Sequence, residues 1–122
     1  MKFCTVVNCI DGRVQIPVTK FLQNRFNVDY VDSVTEPGPP LVISENKSEV
    51  KSILNRIDVS VKNHNSRGIA IAGHFDCAGN PTDEKTQIEQ IKKSVEFLKT
   101  HFSNLEIIGL WVDEKQKVTE VK

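Results

Sequence analysis

The apolar residues of this 122-residue chain form two kinds of pattern, short continuous runs and longer stretches with helical spacing. A run of about four to eight mostly apolar residues between polar turns is typical of a strand. Such runs predict strands at positions 3–8, 68–72 and 106–112. Alternating apolar residues predict another strand at 28–34, and residues 118–121 are expected to form a short edge strand. The run at 68–72, Gly-Ile-Ala-Ile-Ala, contains no polar side chain, which predicts a strand that is covered on both faces.

Between these runs, apolar residues recur every three or four positions, which predicts amphipathic helices. The first helix is expected to begin near Pro17, because proline suits the first turn, where its missing N–H is not needed. Asn46 or Ser48 can cap the second helix. The third extends from Thr82 to about position 102.

Two segments are predicted to be loops. Residues 9–15 are rich in turn formers, and residues 35–40 read Thr-Glu-Pro-Gly-Pro-Pro, in which three prolines exclude a helix or a central strand. The remaining alternation of strands and helices predicts a three-layer α/β/α fold. Its sheet has four mostly parallel strands, and the segment 118–121 adds an edge strand.

Composition and charge narrow the function classes. The hydrophobic fraction of 39% is ordinary for a globular protein, and residues 1–122 are expected to form a single domain. Because 16 basic residues balance 16 acidic ones, no long-range field would attract nucleic acid or an anionic membrane. No apolar run has the roughly 20 residues that a membrane span needs, and the first residues are not typical of a signal peptide. We therefore expect a cytoplasmic protein, in which three cysteines favour thiol or metal chemistry over disulfides.

Two polar segments that follow predicted strands carry the candidate chemistry. The first contains Cys9, Asp11 and Arg13, and the second contains His74 and Cys77. In open α/β sheets, sites form at the carboxyl ends of strands where the strand order reverses. If the two strands are neighbours, two thiolates and one imidazole meet there. That donor set suits zinc and leaves the fourth tetrahedral position to water or substrate.

Simpler interpretations exist for each residue taken alone. A cysteine after a strand is usually a small buried apolar residue, and a single His-x-x-Cys occurs often by chance. Because both features occur at the ends of predicted strands of the same sheet, a metal site is the better interpretation. Cys4 lies inside the first strand and is interpreted as core, whereas His64 and His101 lie near helix ends and are expected at the surface.

The Asp11–Arg13 pair has two interpretations as well. It is either an exposed salt bridge, worth about 0–1 kcal/mol, or a gate beside the metal. In the second case the Asp11 carboxylate could occupy the fourth coordination position of the metal. A bidentate ion pair with Arg13 would hold that carboxylate away from the metal. The metal-binding segments make the second interpretation the better one.

The pattern Cys9-x-Asp11-x-Arg13, followed by His74-x-x-Cys77, resembles the signature of the β-class carbonic anhydrase family. Residues 107–113 and 117–121 are similar to that family's late strand, turn and short final strand. The resemblance implies one Zn²⁺ per chain on the two cysteines and the histidine, with the Asp–Arg dyad controlling the fourth site. It further implies reversible hydration of carbon dioxide to bicarbonate by a zinc-bound hydroxide, and a homodimer or higher homo-oligomer.

The chain departs from the family pattern in several places, so it resembles a minimal, shortened member. Residues 35–40 replace a loop that is usual after the second strand, and Gly12 stands where Ser or Thr is common. Gln15 and Phe75 are candidates for the substrate pocket by proximity alone. Two further functions stay open, a CS2 or COS hydrolase on the same scaffold and a zinc-binding protein without catalysis.

Overall fold

A five-stranded sheet forms the middle layer of the molecule, which a computed structural model describes over residues 1–122. The strands are β1 (Phe3–Cys9), β2 (Tyr30–Glu36), β3 (Gly68–His74), β4 (Glu106–Val112) and β5 (Val118–Val121). The helices are α1 (Gly12–Arg25), α2 (Pro39–Ser44), α3 (Val50–His64) and α4 (Glu84–His101). None of these helices is both long enough and apolar enough to cross a bilayer.

The strand order is β2-β1-β3-β4-β5. The first four strands are parallel, and β5 runs antiparallel to β4 along the edge. Every residue of β3 is buried, as the apolar run at 68–72 predicted, because helices cover both faces of the sheet. The predicted mostly parallel α/β sheet with an added edge strand is confirmed.

Two apolar layers hold the helices to the sheet. On one face, α3 and α4 contribute fully buried side chains such as Ile53, Ile57 and Leu98. On the other face, α1 alone contributes Val18 and Leu22, which are also fully buried. The result is the predicted three-layer arrangement, in which α1 lies on one side and the remaining helices on the other.

Helix α1 begins earlier than the sequence pattern predicted, at Gly12 and not near Pro17. Asp11 is its N-cap, and its side chain accepts a hydrogen bond from the backbone N–H of Arg13 at 2.8 Å. The first turn buries Val14. The capping bond and this burial stabilise the earlier start by more than a proline inside the helix destabilises it. Pro17 therefore lies inside the helix, and the predicted loop at 9–15 ends at Asp11.

The segment 35–40 also differs from its prediction as a loop. Its first two residues complete β2, and Pro39 and Pro40 begin the short helix α2, where their missing N–H groups are tolerated. Gly38 precedes them with φ +57°, and a Cβ there would lie 2.7 Å from the carbonyl oxygen of Gly79. The segment therefore packs closely against the chain that follows β3.

Two other boundaries moved. Helix α3 starts at Val50, and its N-cap is Glu49, whose side chain makes no capping hydrogen bond. Neither Asn46 nor Ser48 is therefore the cap of this helix. Strand β3 continues to His74, two residues beyond the predicted end, because it stays paired with β4 up to Val112. His74 is therefore held by a strand and not by a loop.

Replacing Leu98 by alanine should lower the free energy of unfolding by about 2–5 kcal/mol, because Leu98 is fully buried between α4 and the sheet. The matched control is Val59→Ala, since Val59 is 57% exposed on α3. That change should stay within about 0.5 kcal/mol. Urea unfolding followed by circular dichroism measures both, and equal effects would contradict this description of the core.

Candidate metal centre

The carboxyl ends of β1 and β3 meet at the middle of the sheet. The two strands are paired from Thr5↔Ile69 to Val7↔Ile71, and beyond this point no pairing joins them. From β1 the chain leaves through α1 to β2 on one side, while β3 lies on the other side. The crevice between the strand ends is thus the switch point at which open α/β sheets bind ligands.

Three potential metal ligands occupy this crevice. Cys9 ends β1, His74 ends β3, and Cys77 follows in the turn after β3; all three side chains are buried. Their ligand atoms lie within 4.8 Å of one another, and the two sulfurs are 3.8 Å apart. Two zinc–sulfur bonds of about 2.3 Å at a tetrahedral angle would place sulfurs about 3.8 Å apart. The sulfur spacing therefore fits a zinc ion.

The orientation of the His74 ring also fits a metal ion. Its Nδ1 lies 2.8 Å from the carbonyl oxygen of Phe75, which can only accept, so Nδ1 carries the proton and donates. The other ring nitrogen, Nε2, then has a free lone pair, and it is buried without any hydrogen-bond partner. A buried nitrogen of this kind is rare in proteins unless it binds something. A hydrogen bond from the second ring nitrogen is also the usual support of a metal-bound histidine.

The two thiols are electrostatically coupled. A hydrogen bond from the Cys77 thiol stabilises the Cys9 thiolate and lowers the pKa of Cys9, although burial opposes the effect. The His74 side chain lowers it further, followed by contacts with the backbone N–H groups of Gly38 and Asp11. The same hydrogen bond raises the pKa of Cys77, because its proton is held between the sulfurs. A cation would replace that shared proton, as thiolate ligation requires.

Cys4 shows the opposite environment. It is fully buried in the apolar layer beneath α1, and burial, helped by the charge of Asp32, raises its pKa to about 12. Its interpretation as a core residue is confirmed. His64 and His101 lie at the exposed ends of α3 and α4, as expected.

Asp11 and Arg13 form a forked ion pair beside Cys9. Arg13 Nη2 lies 2.7 Å from Asp11 Oδ2, and Arg13 Nε donates to Oδ1 at 3.1 Å. The pKa of Asp11 falls to about 2, first through the side-chain hydrogen bond from Arg13 and then through its backbone N–H. Asp11 therefore has two duties, since the same carboxylate caps α1 and holds the guanidinium.

The structure adds a contact that the sequence did not reveal. Arg13 Nη2 also donates to the carbonyl oxygen of Asp76 at 3.1 Å, and Nη1 lies 3.4 Å from the Asp76 carboxylate. Asp76 directly precedes Cys77 and has φ +58°, a conformation that turns the chain sharply. Arg13 thus connects the segment after β1 to the turn that carries Cys77.

The two residues proposed for the pocket have different surroundings. Phe75 is 48% exposed and lines an open cavity of about 660 Å³ that also borders Cys77 and Trp111. Gln15 does not line this cavity; its Nε2 donates to the carbonyl oxygen of Cys9 at 2.7 Å. Of the three candidate ligands, only Cys77 lines this cavity.

Sequence reasoning missed Gln87, whose side-chain amide donates to the carbonyl oxygen of His74 at 2.9 Å. The pattern of apolar residues predicts that this helix buries an apolar face, whereas its buried positions include two polar residues. The buried positions are Gln87, Ile91, Ser94 and Leu98. Gln87 lies four residues before Ile91, so both share one face of the helix. That spacing was the signal that could have identified Gln87 as a buried residue.

Comparisons with known proteins were made by sequence and by structure. A family model described as "Putative carbonic anhydrase" matches residues 1–122. No match was found among curated protein sequences. The sequence match thus extends over the entire chain.

Several solved structures share the fold. A carbonic anhydrase from Streptococcus mutans is 16% identical, with a TM-score of 0.67 over 98% of this chain and 81% of that one. A carbonic anhydrase from Glaciozyma antarctica is 15% identical, with a TM-score of 0.63 and the same coverages. One of two tetrameric β-carbonic anhydrases from Sordaria macrospora is 13% identical, with a TM-score of 0.63 over 96% of this chain and 79% of that one. At these identities the structural likeness establishes the fold.

The ion pair predicts how Asp11 titrates. In the metal-free protein its carboxyl should titrate near pH 2, and Arg13→Gln should raise its pKa toward the ordinary value of about 3.9. Because the pKa is lowered in the folded state, the pair stabilises the fold above about pH 4, and this contribution is lost as the pH falls toward 2. NMR titration of the side-chain carboxyl measures the shift.

The control for this titration is Arg25→Gln. Arg25 pairs with Glu106 and Glu120 at the other end of α1, so its loss should leave Asp11 unchanged. An Asp11 pKa that is the same with and without Arg13 would refute the assigned cause.

Proposed function

Because this chain belongs to the carbonic anhydrase family whose model it matches from end to end, we propose that it hydrates carbon dioxide reversibly to bicarbonate with one zinc ion per chain. The observation that carries the proposal is the buried, partnerless Nε2 of His74, facing two sulfurs that stand 3.8 Å apart. No other part of the structure groups three such ligands.

Cys9, His74 and Cys77 would hold the zinc. Three protein ligands leave one tetrahedral position free, which distinguishes a catalytic zinc site from a closed structural one. Zinc in such a site lowers the pKa of a bound water and so supplies a nucleophile near neutral pH. The coupled thiols support this assignment, since they already share one proton where a cation would neutralise both.

Asp11 and Arg13 would control access to the free position. Arg13 engages both oxygens of the Asp11 carboxylate, so that carboxylate is satisfied without any metal. In this position Asp11 can still accept a hydrogen bond from a reacting O–H group and orient it. Without Arg13, the carboxylate would be free to turn toward the cation and compete with water.

Two further properties belong to the proposal. Ile10, Ile16 and Phe75 are apolar and at least 48% exposed near the crevice, which supports a homodimer or higher homo-oligomer that covers them. The tetrameric β-carbonic anhydrases of similar fold support the same idea. Three free thiols, two of them in the crevice, support a reducing, cytoplasmic location.

Metal content tests the ligands directly. The purified protein should contain one zinc ion per chain by mass spectrometry of metals, and Cys9→Ser or His74→Ala should lose it, because two ligands bind zinc poorly. Cys4→Ser is the matched control, since Cys4 lies in the core, and it should keep the metal. Full zinc in either ligand variant would remove the central assignment.

Stopped-flow measurement of carbon dioxide hydration tests the activity. Arg13→Ala should slow turnover about 10- to 100-fold, the usual effect of removing an outer partner of a metal site. Arg67→Ala, an exposed arginine beside β3, should leave the rate unchanged. Faster turnover of CS2 or COS would assign the alternative hydrolase, and a folded, zinc-loaded protein without any turnover would assign a non-catalytic zinc protein.

A further inference from the structure

Two glutamine side chains hold the main chain at the strand ends of the metal centre. Gln15 donates to the carbonyl oxygen of Cys9 at 2.7 Å, and Gln87 donates to that of His74 at 2.9 Å. Cys9 is the last residue of β1, and His74 is the last residue of β3. Each glutamine is the fourth residue of the next helix along the chain, α1 or α4. The two contacts therefore approach the crevice from opposite faces of the sheet.

These contacts lie where β1 and β3 are no longer paired directly with each other. Pairing between β1 and β3 stops at Val7↔Ile71, two residues before Cys9 and three before His74. From there the two chains are no longer joined by a ladder of hydrogen bonds. The distance between the first sulfur and the imidazole then depends on what holds each strand end from outside this pair. Cys9 is held by β2 and by Gln15 of α1, and His74 is held by β4 and by Gln87 of α4.

Gln87 is unusual in its surroundings. It is 1% exposed, and its Oε1 is buried without a hydrogen-bond partner. It packs so closely that a Cβ on Gly73 would lie 2.7 Å from that oxygen. A buried unpaired oxygen costs free energy, so an apolar residue of the same length would suit the helix better if packing were the only requirement. A glutamine at this position is explained by its amide N–H, which donates to the carbonyl oxygen of His74.

We propose that Gln15 and Gln87 are positioning residues, which hold Cys9 and His74 at the spacing that the metal requires. The inference rests on the proposed function, since it assumes that these residues bind zinc. Each glutamine acts through the carbonyl group of a ligand residue. Together they help to fix the distance between two strand ends that are not paired with each other.

Gln87→Met is the principal test, because methionine keeps the length and volume while removing both the donor and the unpaired oxygen. Zinc affinity of the full chain, measured by competition with a chromophoric chelator, should fall about tenfold or more. The melting temperature of the metal-free variant should fall no further than that of the control below. Absorption bands of the Co²⁺-loaded protein should shift, because the sulfur and imidazole donors would no longer meet the ion in the same geometry.

The matched control is Ser94→Ala on the same helix. Ser94 is fully buried, and its hydroxyl donates to the carbonyl oxygen of Gln90 at 2.8 Å, without contact to any ligand residue. This variant should lose stability but keep the zinc affinity and the Co²⁺ spectrum of the original protein. If it lost zinc affinity as strongly as Gln87→Met, a general loosening of α4 would replace the proposal.

Gln15→Met provides an independent second arm, since Gln15 is only partly buried and its loss threatens folding less. We again expect a loss of about tenfold, and the double variant should lose more zinc affinity than either single variant. Unchanged zinc affinity and Co²⁺ spectra in both variants would overturn the inference while leaving the metal centre intact. If the original protein bound neither zinc nor Co²⁺, the proposed function itself would fail, and the inference with it.

Discussion

The parallel pairing of β1 with β3 is the constraint on which the site depends. It places two strand ends side by side at the middle of the sheet, while the connections from each strand lead to opposite sides. Cys9 and His74, which are distant in sequence, become neighbours for that reason alone. The apolar residues of both strands supply the energy, since most of them are buried between α1 on one face and α3 and α4 on the other.

Much of this arrangement could be predicted from the sequence. The strand at 106–112 and the edge strand at 118–121 were located correctly, because polar turn residues separate a clear apolar run from the short segment Val-Thr-Glu-Val. The meeting of Cys9, His74 and Cys77 was also predictable, since donor-rich segments that follow neighbouring parallel strands must share one edge of the sheet. The comparisons add the family and the fold, whereas the catalytic role of each residue stays with the proposal.

What could not be predicted depends on contacts between distant segments. The start of α1 was misplaced because Pro17 outweighed a capping aspartate whose partner, the N–H of Arg13, becomes available only in the folded turn. The contact from Arg13 to Asp76 joins two segments that are distant in sequence, and no sequence motif relates them. Gln87 looked like an ordinary polar residue, and only its burial and its contact with His74 mark it as part of the centre.

The double duty of Asp11 has an evolutionary consequence. Its carboxylate both begins α1 and holds Arg13, so mutation there affects the helix and the ion pair together. A descendant that lost the ion pair would still be selected for a residue that starts the helix. Drift at this position should therefore be confined to Asn, Ser or Thr, the side chains that can accept the same backbone hydrogen bond. A branch that lost the ion pair would then be recognised by a neutral capping residue here together with an unconstrained position 13.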